Sequence, residues 1–167
     1  VCAPDMRAAH DATAGTMYSR RRLPHFERPW AKYAVTFATL DRHTLSPEAR
    51  SITLKAIERF HNRRYELYAA CVMPDHVHLL WEPGIKGDNA DDKPVFWSLA
   101  ELIRSIKTFA AREINKAEGS QGSIWEKEWH DRMIRSEADL QEKFEYIVRN
   151  PWDAEVAAPT EDYEWIW

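Results

Sequence analysis

The chain has 167 residues, of which 44% are hydrophobic and 12% aromatic. This composition excludes a wholly disordered protein and suits one domain with its own core. Its two cysteines, Cys2 and Cys71, are too few for a disulfide-rich scaffold or a four-cysteine zinc site. We expect a cytoplasmic protein, because no apolar run is long enough to span a bilayer and the N-terminus has no apolar signal-peptide core.

The net charge of −4 is unevenly distributed. Residues 17–33 carry a local charge of +4, whereas residues 151–167 contain five acidic residues and neither lysine nor arginine. Local patches decide phosphate binding, so the net charge does not exclude a nucleic-acid partner. The alternative is that the arginines form only a solvated surface. We divide the chain into a basic arm (1–32), a central domain (33–151) and an acidic, tryptophan-rich tail (152–167).

The first half of the chain predicts an arm, three strands and one helix. The arm has no periodicity and contains helix-breaking prolines, so we expect it to be extended on the surface. Alternating or β-branched apolar residues predict strands over 33–40, 65–73 and 76–82. A helix that Ser46 caps follows the first strand. The polar residues 84–94 indicate a loop.

The second half predicts two helices and a short strand. Ser98 and Glu101 have the spacing of a capping box, and the helix that they begin is expected to end near Gly119. A short strand is expected around 132–135, before a last helix that Ser136 caps. That helix is expected to end at Asn150, because the residue before a proline disfavours helix. The order β-α-β-β-α-(β)-α predicts an α+β fold, a ferredoxin-like sandwich whose antiparallel sheet has helices mainly on one face.

Two histidines, His76 and His78, lie at the start of a predicted strand in the segment MPDHVHLL (73–80). Residues two apart on a strand point the same way, so the two imidazoles form a natural pair of metal ligands. The alternative is one surface histidine and one satisfied core histidine. A metal site needs at least one more ligand, and the candidates are Asn150, Asp75, His130 and Asp131.

Tyr146 lies on the last predicted helix, off the apolar stripe formed by Leu140, Phe144 and Ile147. Asn150 follows one turn later, so the two side chains are neighbours. By periodicity alone, Tyr146 could equally be a boundary residue half-covered by the sheet.

These motifs together resemble the single-tyrosine HUH transposases of insertion sequences, and most closely the REP-associated tyrosine transposases. The resemblance rests on MPDHVHLL followed about 70 residues later by Tyr146-Ile147-x-x-Asn150-Pro151. Segments 18–25, 33–37 and 129–132 support it, and it covers about residues 18–157.

The resemblance implies a ferredoxin-like fold and a metal-dependent enzyme. It implies that His76 and His78 are metal ligands, that Tyr146 is the nucleophile and that Asn150, where relatives often have glutamine, is the third ligand. The expected ion is Mg²⁺ or Mn²⁺. The expected reaction nicks and rejoins single-stranded, REP-like hairpin DNA through a 5′-phosphotyrosine intermediate. We expect no nucleotide cofactor, since the chain has no Walker-type glycine-rich loop.

The DNA is expected to contact basic side chains on the arm and on the second helix: Arg20, Arg21, Arg22, Arg104, Lys107 and Arg112. His130 and Asp131 either line the site or cap a local turn. The acidic tail either covers the site as a flap or packs Trp152, Trp165 and Trp167 on the body. The partners expected are single-stranded or hairpin DNA and no membrane, for a monomer or a homodimer.

Two other functions stay open. One is a domesticated, sequence-specific DNA-binding protein that does not cleave. The other is a metallohydrolase that uses His76, His78 and His130, whose activity would survive Tyr146→Phe.

Overall fold

The computed structural model describes residues 17–20 and 24–167. The strands of this part are β1 (Met17–Arg20), β2 (Pro24–Glu27), β3 (Tyr33–Ala38), β4 (Tyr65–Val72), β5 (His76–Pro83), β6 (Ile85–Asp88), β7 (Pro94–Phe96) and β8 (His130–Met133). The helices are α1 (Pro47–Glu58), α2 (Leu99–Glu118) and α3 (Glu137–Asp153).

A four-stranded antiparallel sheet in the order β4-β5-β3-β8 forms the centre of the fold. Strand β5 lies inside this sheet, and every residue after His76 in it is buried. The strand pairing aligns Thr36 with His78 on β5 and with His130 on β8. Paired residues point to the same face of a sheet, so these three side chains share one face.

Helices α1 and α2 cover the opposite face. Strand residues such as Val35, Val77 and Leu79 pack there against Ile57, Leu102 and Ile106. The start of α1 and both ends of α2 are those that the sequence predicts. The Ser46 hydroxyl accepts from the amide of Ala49 at 3.1 Å, Ser98 and Glu101 form the capping box, and α2 ends at Gly119 with a φ of 63°.

Helix α3 lies on the face that carries His78. Its buried residue Ile147 packs with Cys71, Met73 and Leu80. A β-bulge between Leu67 and Ala69 shifts the alternation of β4 by one residue. Ala69 and Cys71 therefore belong to the cluster beside α3, whereas Leu67 belongs to the core under α1 and α2. The predicted antiparallel α+β sandwich is therefore confirmed, with two helices on one face and the third on the other.

The prediction of a loop over 84–94 is wrong at both ends, where β6 and β7 pair as a small antiparallel sheet. Ile85 and Val95 are 47% and 39% exposed, so this hairpin buries no apolar face that sequence alternation could reveal. Its turn is closed locally, because the Asn89 side-chain oxygen accepts from the amides of Asp91 and Lys93 at 2.9 Å.

The extended arm is partly paired, since β1 and β2 form a two-stranded antiparallel sheet. Residues 1–16 and 21–23 of the arm lie outside the described part. The short strand expected around 132–135 begins two residues earlier, at His130, where pairing with β3 starts.

The predicted end of the last helix at Asn150 is also wrong, because α3 continues through Pro151 to Asp153. A proline near a helix end removes only one backbone donor. The Asn150 and Pro151 carbonyls still accept, from the amides of Ala154 and Val156 at 2.9 and 2.8 Å. The turn is thus completed despite the proline.

The last residues, 165–167, run along the outer edge of β4, with an isolated β-bridge between Ile166 and Cys71. The Ala70 and Trp167 backbones exchange hydrogen bonds of 3.1 and 2.9 Å, and the Val72 amide donates to the Trp165 carbonyl at 2.9 Å. The Arg50 guanidinium lies 3.7 Å from the centre of a Trp165 ring. Of the two expectations for the tail, packing on the body is the one that the structure shows.

No helix in the described ranges is both long and apolar enough to cross a membrane.

Candidate active site

The site is built on the first residues of β5 and faces α3. Alternation along the strand turns Val77 into the core under α1 and α2, and it leaves His76 and His78 together on the other face. Their Nε2 atoms lie 3.0 Å apart, and their rings meet at an interplanar angle of 87°. The predicted convergence of the two imidazoles is therefore present.

Each imidazole is held by a partner at its other nitrogen. His76 Nδ1 lies 2.6 Å from Asp75 Oδ1, and His78 Nδ1 lies 2.9 Å from the Thr36 hydroxyl. With the proton on Nδ1 of each ring, both Nε2 lone pairs face the same point. Such outer partners orient metal-binding histidines in many proteins.

The electrostatics favour neutral imidazole at His78. Burial, and after it the neighbouring His76, lowers the pKa of His78 to about 4. A neutral ring keeps its lone pair for a cation at physiological pH.

The spacing of the two nitrogens suits a six-coordinate ion. Ligands about 2.1 Å from an octahedral ion and at right angles to each other are about 3.0 Å apart. Within the described ranges, no group of three or more His, Cys, Asp or Glu side chains is placed to hold a metal. Among the described residues, a third protein ligand would therefore be a side chain of another type.

Asn150 has the right chemistry for that third ligand. Its side chain is 7% exposed, and its Oδ1 has no hydrogen-bond partner. An unpaired buried carbonyl oxygen costs free energy in a folded protein, and a cation would satisfy it. Two imidazole nitrogens and one amide oxygen thus fit a divalent ion with open positions.

Tyr146 lies against this pair. Its ring centre is 5.5 Å from that of His78, at an interplanar angle of 78°. The side chain is 50% exposed, so its hydroxyl can meet a substrate from solution. The Lys143 ammonium lies 5.8 Å from the ring centre. Buried Ile147, the next residue, sets this orientation by anchoring α3 to the sheet.

The other predicted candidates have different places. Asp75 contacts His76 at Nδ1, on the side of the ring away from Nε2, so its carboxylate is placed to orient that ring. His130 shares the face of His78 but lies two strands away, about 10 Å at the usual strand spacing. Asp131 pairs with Val35 and so points to the opposite face, a correction to its expected place beside the site.

The family comparison agrees with this geometry. The family described as transposase IS200-like matches residues 30–150, a span that holds both histidines, Tyr146 and Asn150. The chain belongs to the IS200-like transposase family. This confirms the resemblance inferred from the two motifs.

The chain is 28% identical over 96 residues to a protein from Haemophilus influenzae assigned as a REP-associated tyrosine transposase. The match covers 52% of this chain and 49% of the relative, so the chain spans about half the length of that curated relative. The fold of this chain is similar to that of a REP-associated tyrosine transposase solved bound to a REP hairpin. The TM-score is 0.65 at 21% identity, over 90% of this chain and 82% of that one.

The predicted DNA-binding residues are only partly brought together. Arg104 and Lys107 line an open groove of about 520 Å³ between α2 and residues 123–129. The Lys107 ammonium donates to the Glu126 and Glu128 carbonyls at 2.8 and 3.4 Å, so it also holds that segment. Arg112 is 83% exposed, with its Nε 4.0 Å from Glu113. Arg21 and Arg22 lie outside the described residues, as does the Arg20 side chain.

Two neighbours of the site, Thr36 and Arg42, escape sequence reasoning. Thr36 reaches His78 only because of the register between β3 and β5, which single-strand patterns do not reveal. Arg42 lies in a short turn, and its Nε is 2.9 Å from Asp75 Oδ2. No pattern in the sequence indicates that Arg42 contacts Asp75.

Proposed function

We propose that this transposase nicks and rejoins single-stranded, REP-like hairpin DNA in a metal-dependent reaction. The observation that carries the proposal is the edge-to-face contact of the exposed Tyr146 ring with His78, whose Nε2 lies 3.0 Å from that of His76. A nucleophilic hydroxyl and two open imidazole nitrogens are thereby presented on one face.

The proposed metal ligands are His76, His78 and Asn150. Mg²⁺ or Mn²⁺ bound there supplies positive charge that stabilises the charge developing on the scissile phosphate. The role of Thr36 and Asp75 is to hold the two rings at their Nδ1 atoms.

The proposed nucleophile is the Tyr146 hydroxyl. It attacks the phosphorus of the scissile phosphodiester, loses its proton, and forms a tyrosine–phosphate ester that carries the 5′ end of the strand downstream of the cut. The bond from phosphorus to the 3′ oxygen breaks, and that oxygen leaves as a 3′-hydroxyl. A second 3′-hydroxyl can attack the ester and release Tyr146, so strands are rejoined without a nucleotide cofactor.

The hairpin partner is supported by the fold similarity to a protein solved with a REP hairpin. On this chain the exposed cations Arg104 and Arg112 of α2 are available for phosphate contacts, together with the arginines of the arm. Phosphate contacts of this kind weaken as salt concentration rises.

Covalent trapping tests the proposal. The protein is incubated with single-stranded hairpin oligonucleotides taken from repeats that flank its gene, with Mg²⁺ or Mn²⁺, and run on a denaturing gel. We expect an adduct that mass spectrometry places on Tyr146 and that chelator removes. Tyr146→Phe keeps the ring against His78 and should abolish the adduct. Tyr163→Phe, which removes a hydroxyl that donates to the Val72 carbonyl, should retain it.

The negative outcomes are separable. Tight hairpin binding with no adduct would identify a DNA-binding protein that does not cleave. Cleavage that persists in Tyr146→Phe would identify a hydrolase and contradict the proposed nucleophile.

A further inference from the structure

We propose that Arg42 is a positioning residue for the metal-binding histidines and acts through Asp75. The inference rests on the proposed function, because it concerns how the two imidazoles are aimed at an ion. It assigns a role to a turn that contributes nothing to the core.

The first observation is a continuous chain of contacts. Arg42 Nε lies 2.9 Å from Asp75 Oδ2, and the other oxygen, Oδ1, lies 2.6 Å from His76 Nδ1. Both oxygens of one carboxylate are thus engaged, one by a cation and the other by the ring. A carboxylate held at two points has a fixed plane, and that plane sets the direction in which His76 Nε2 points.

The second observation is backbone strain in the turn that carries Arg42. Asp41 and Arg42 have φ angles of 52° and 57°, in the left-handed region that non-glycine residues rarely adopt. Two such residues in succession are unfavourable and persist only where their surroundings over-determine them. None of the residues of this turn, Leu40–Arg42, is buried, and Leu40 is 38% exposed. Burial of side chains therefore does not explain the conformation.

The surroundings hold the turn in place from both sides. The Thr39 hydroxyl lies 2.7 Å from the His43 carbonyl and 3.0 Å from the Asp75 carbonyl. The Asp41 amide donates to Glu126 Oε1 at 3.1 Å, and the Leu40 amide donates to the Ile124 carbonyl at 2.8 Å. The Thr39 bond ties the turn directly to Asp75, which contacts His76, and the other two bonds tie it to residues 124–126.

An ordinary surface ion pair is the competing explanation. The Arg42 side chain is 62% exposed, and exposed pairs contribute little to stability. The two explanations differ in the sign of one measurable effect. If Arg42 acts only as a nearby positive charge, its removal should strengthen the binding of a cation. If it positions His76, its removal should weaken that binding.

The test is Mn²⁺ affinity in the absence of DNA, measured by calorimetry or by electron paramagnetic resonance on the whole chain. We expect Arg42→Ala to weaken Mn²⁺ binding by roughly 3–10-fold and Asp75→Asn by roughly 10–100-fold, the range seen for outer partners of metal ligands. Arg42→Lys, which keeps the charge without the planar fork, should fall between wild type and Arg42→Ala. Thermal unfolding checks that each variant is folded.

Arg63→Ala is the matched control, because it removes an exposed arginine in the turn after α1 and should leave Mn²⁺ affinity unchanged. Affinity in Arg42→Ala that equals or exceeds that of wild type would overturn the inference. Absence of Mn²⁺ binding by wild type would instead overturn the metal-dependent function, and the inference with it.

Discussion

Asn150 is a residue at which stability and the proposed chemistry make opposite demands. Its oxygen is buried without a donor, which costs the folded state about 1–3 kcal/mol. Replacement by leucine, of similar size, removes that cost. We therefore expect Asn150→Leu to raise the free energy of unfolding by about 1 kcal/mol in chemical denaturation, while Mn²⁺ affinity falls.

The two readouts for Asn150 separate a ligand from a packing residue. Lower stability together with unchanged Mn²⁺ affinity would show that the amide has a structural partner and no metal role. Asn150→Gln is the companion variant, because it keeps the amide and moves it by one methylene.

The sequence predicted the placement of site residues where the pattern lies within a single strand or a single helix. The facing of His76 and His78 follows from alternation on one strand, and the placement of Tyr146 and Asn150 on one helix follows from its helical pattern. Thr36 was missed because strand register joins residues 42 positions apart. Arg42 was missed because it depends on two left-handed residues in a turn that no residue preference indicates.

At the scale of elements, Ile147 is the central apolar anchor of α3, with the partly buried Leu140 and Val148 packed in the same cluster. Ile147 is 2% exposed, whereas Phe144 and Tyr146 on the same helix are 38% and 50% exposed. The position of the helix that carries the proposed nucleophile therefore depends on the packing of Ile147 more than on that of Phe144.

We expect Ile147→Ala to lower the free energy of unfolding by about 2–5 kcal/mol, the range for truncating a buried isoleucine. Phe144→Ala, one turn earlier and exposed, should cost much less. Urea denaturation of both variants makes the comparison. Equal losses in the two would show that the anchoring of α3 is spread along the helix.

Element order was predictable because most elements bury an amphipathic face, and such faces leave a periodic pattern in the sequence. The hairpin of β6 and β7 was missed because both strands are largely exposed and leave no such pattern. The end of α3 was missed because a bias against helix before proline yielded to hydrogen bonds made by the following residues.

At the scale of the whole molecule, residues 165–167 cover the outer edge of β4. The Ala70 and Val72 backbones bond to these residues, and Tyr163 and Ile166 pack in the same cluster as Ile147. An uncovered strand edge presents free backbone donors and acceptors, which favours pairing with another chain.

We expect a variant that ends at Asp162 to unfold at lower temperature and to self-associate more than the full chain, because it uncovers both the β4 edge and the apolar cluster beside α3. Trp165→Ala is the control, because it removes the stacking with Arg50 and leaves the backbone bonds of residues 165–167 able to form. The Trp165→Ala variant should unfold at lower temperature but should not self-associate more than the full chain. Light scattering after size-exclusion chromatography measures association, and calorimetry measures unfolding. Association of the Trp165→Ala variant to the same extent would assign the effect to the lost aromatic packing and not to the strand edge.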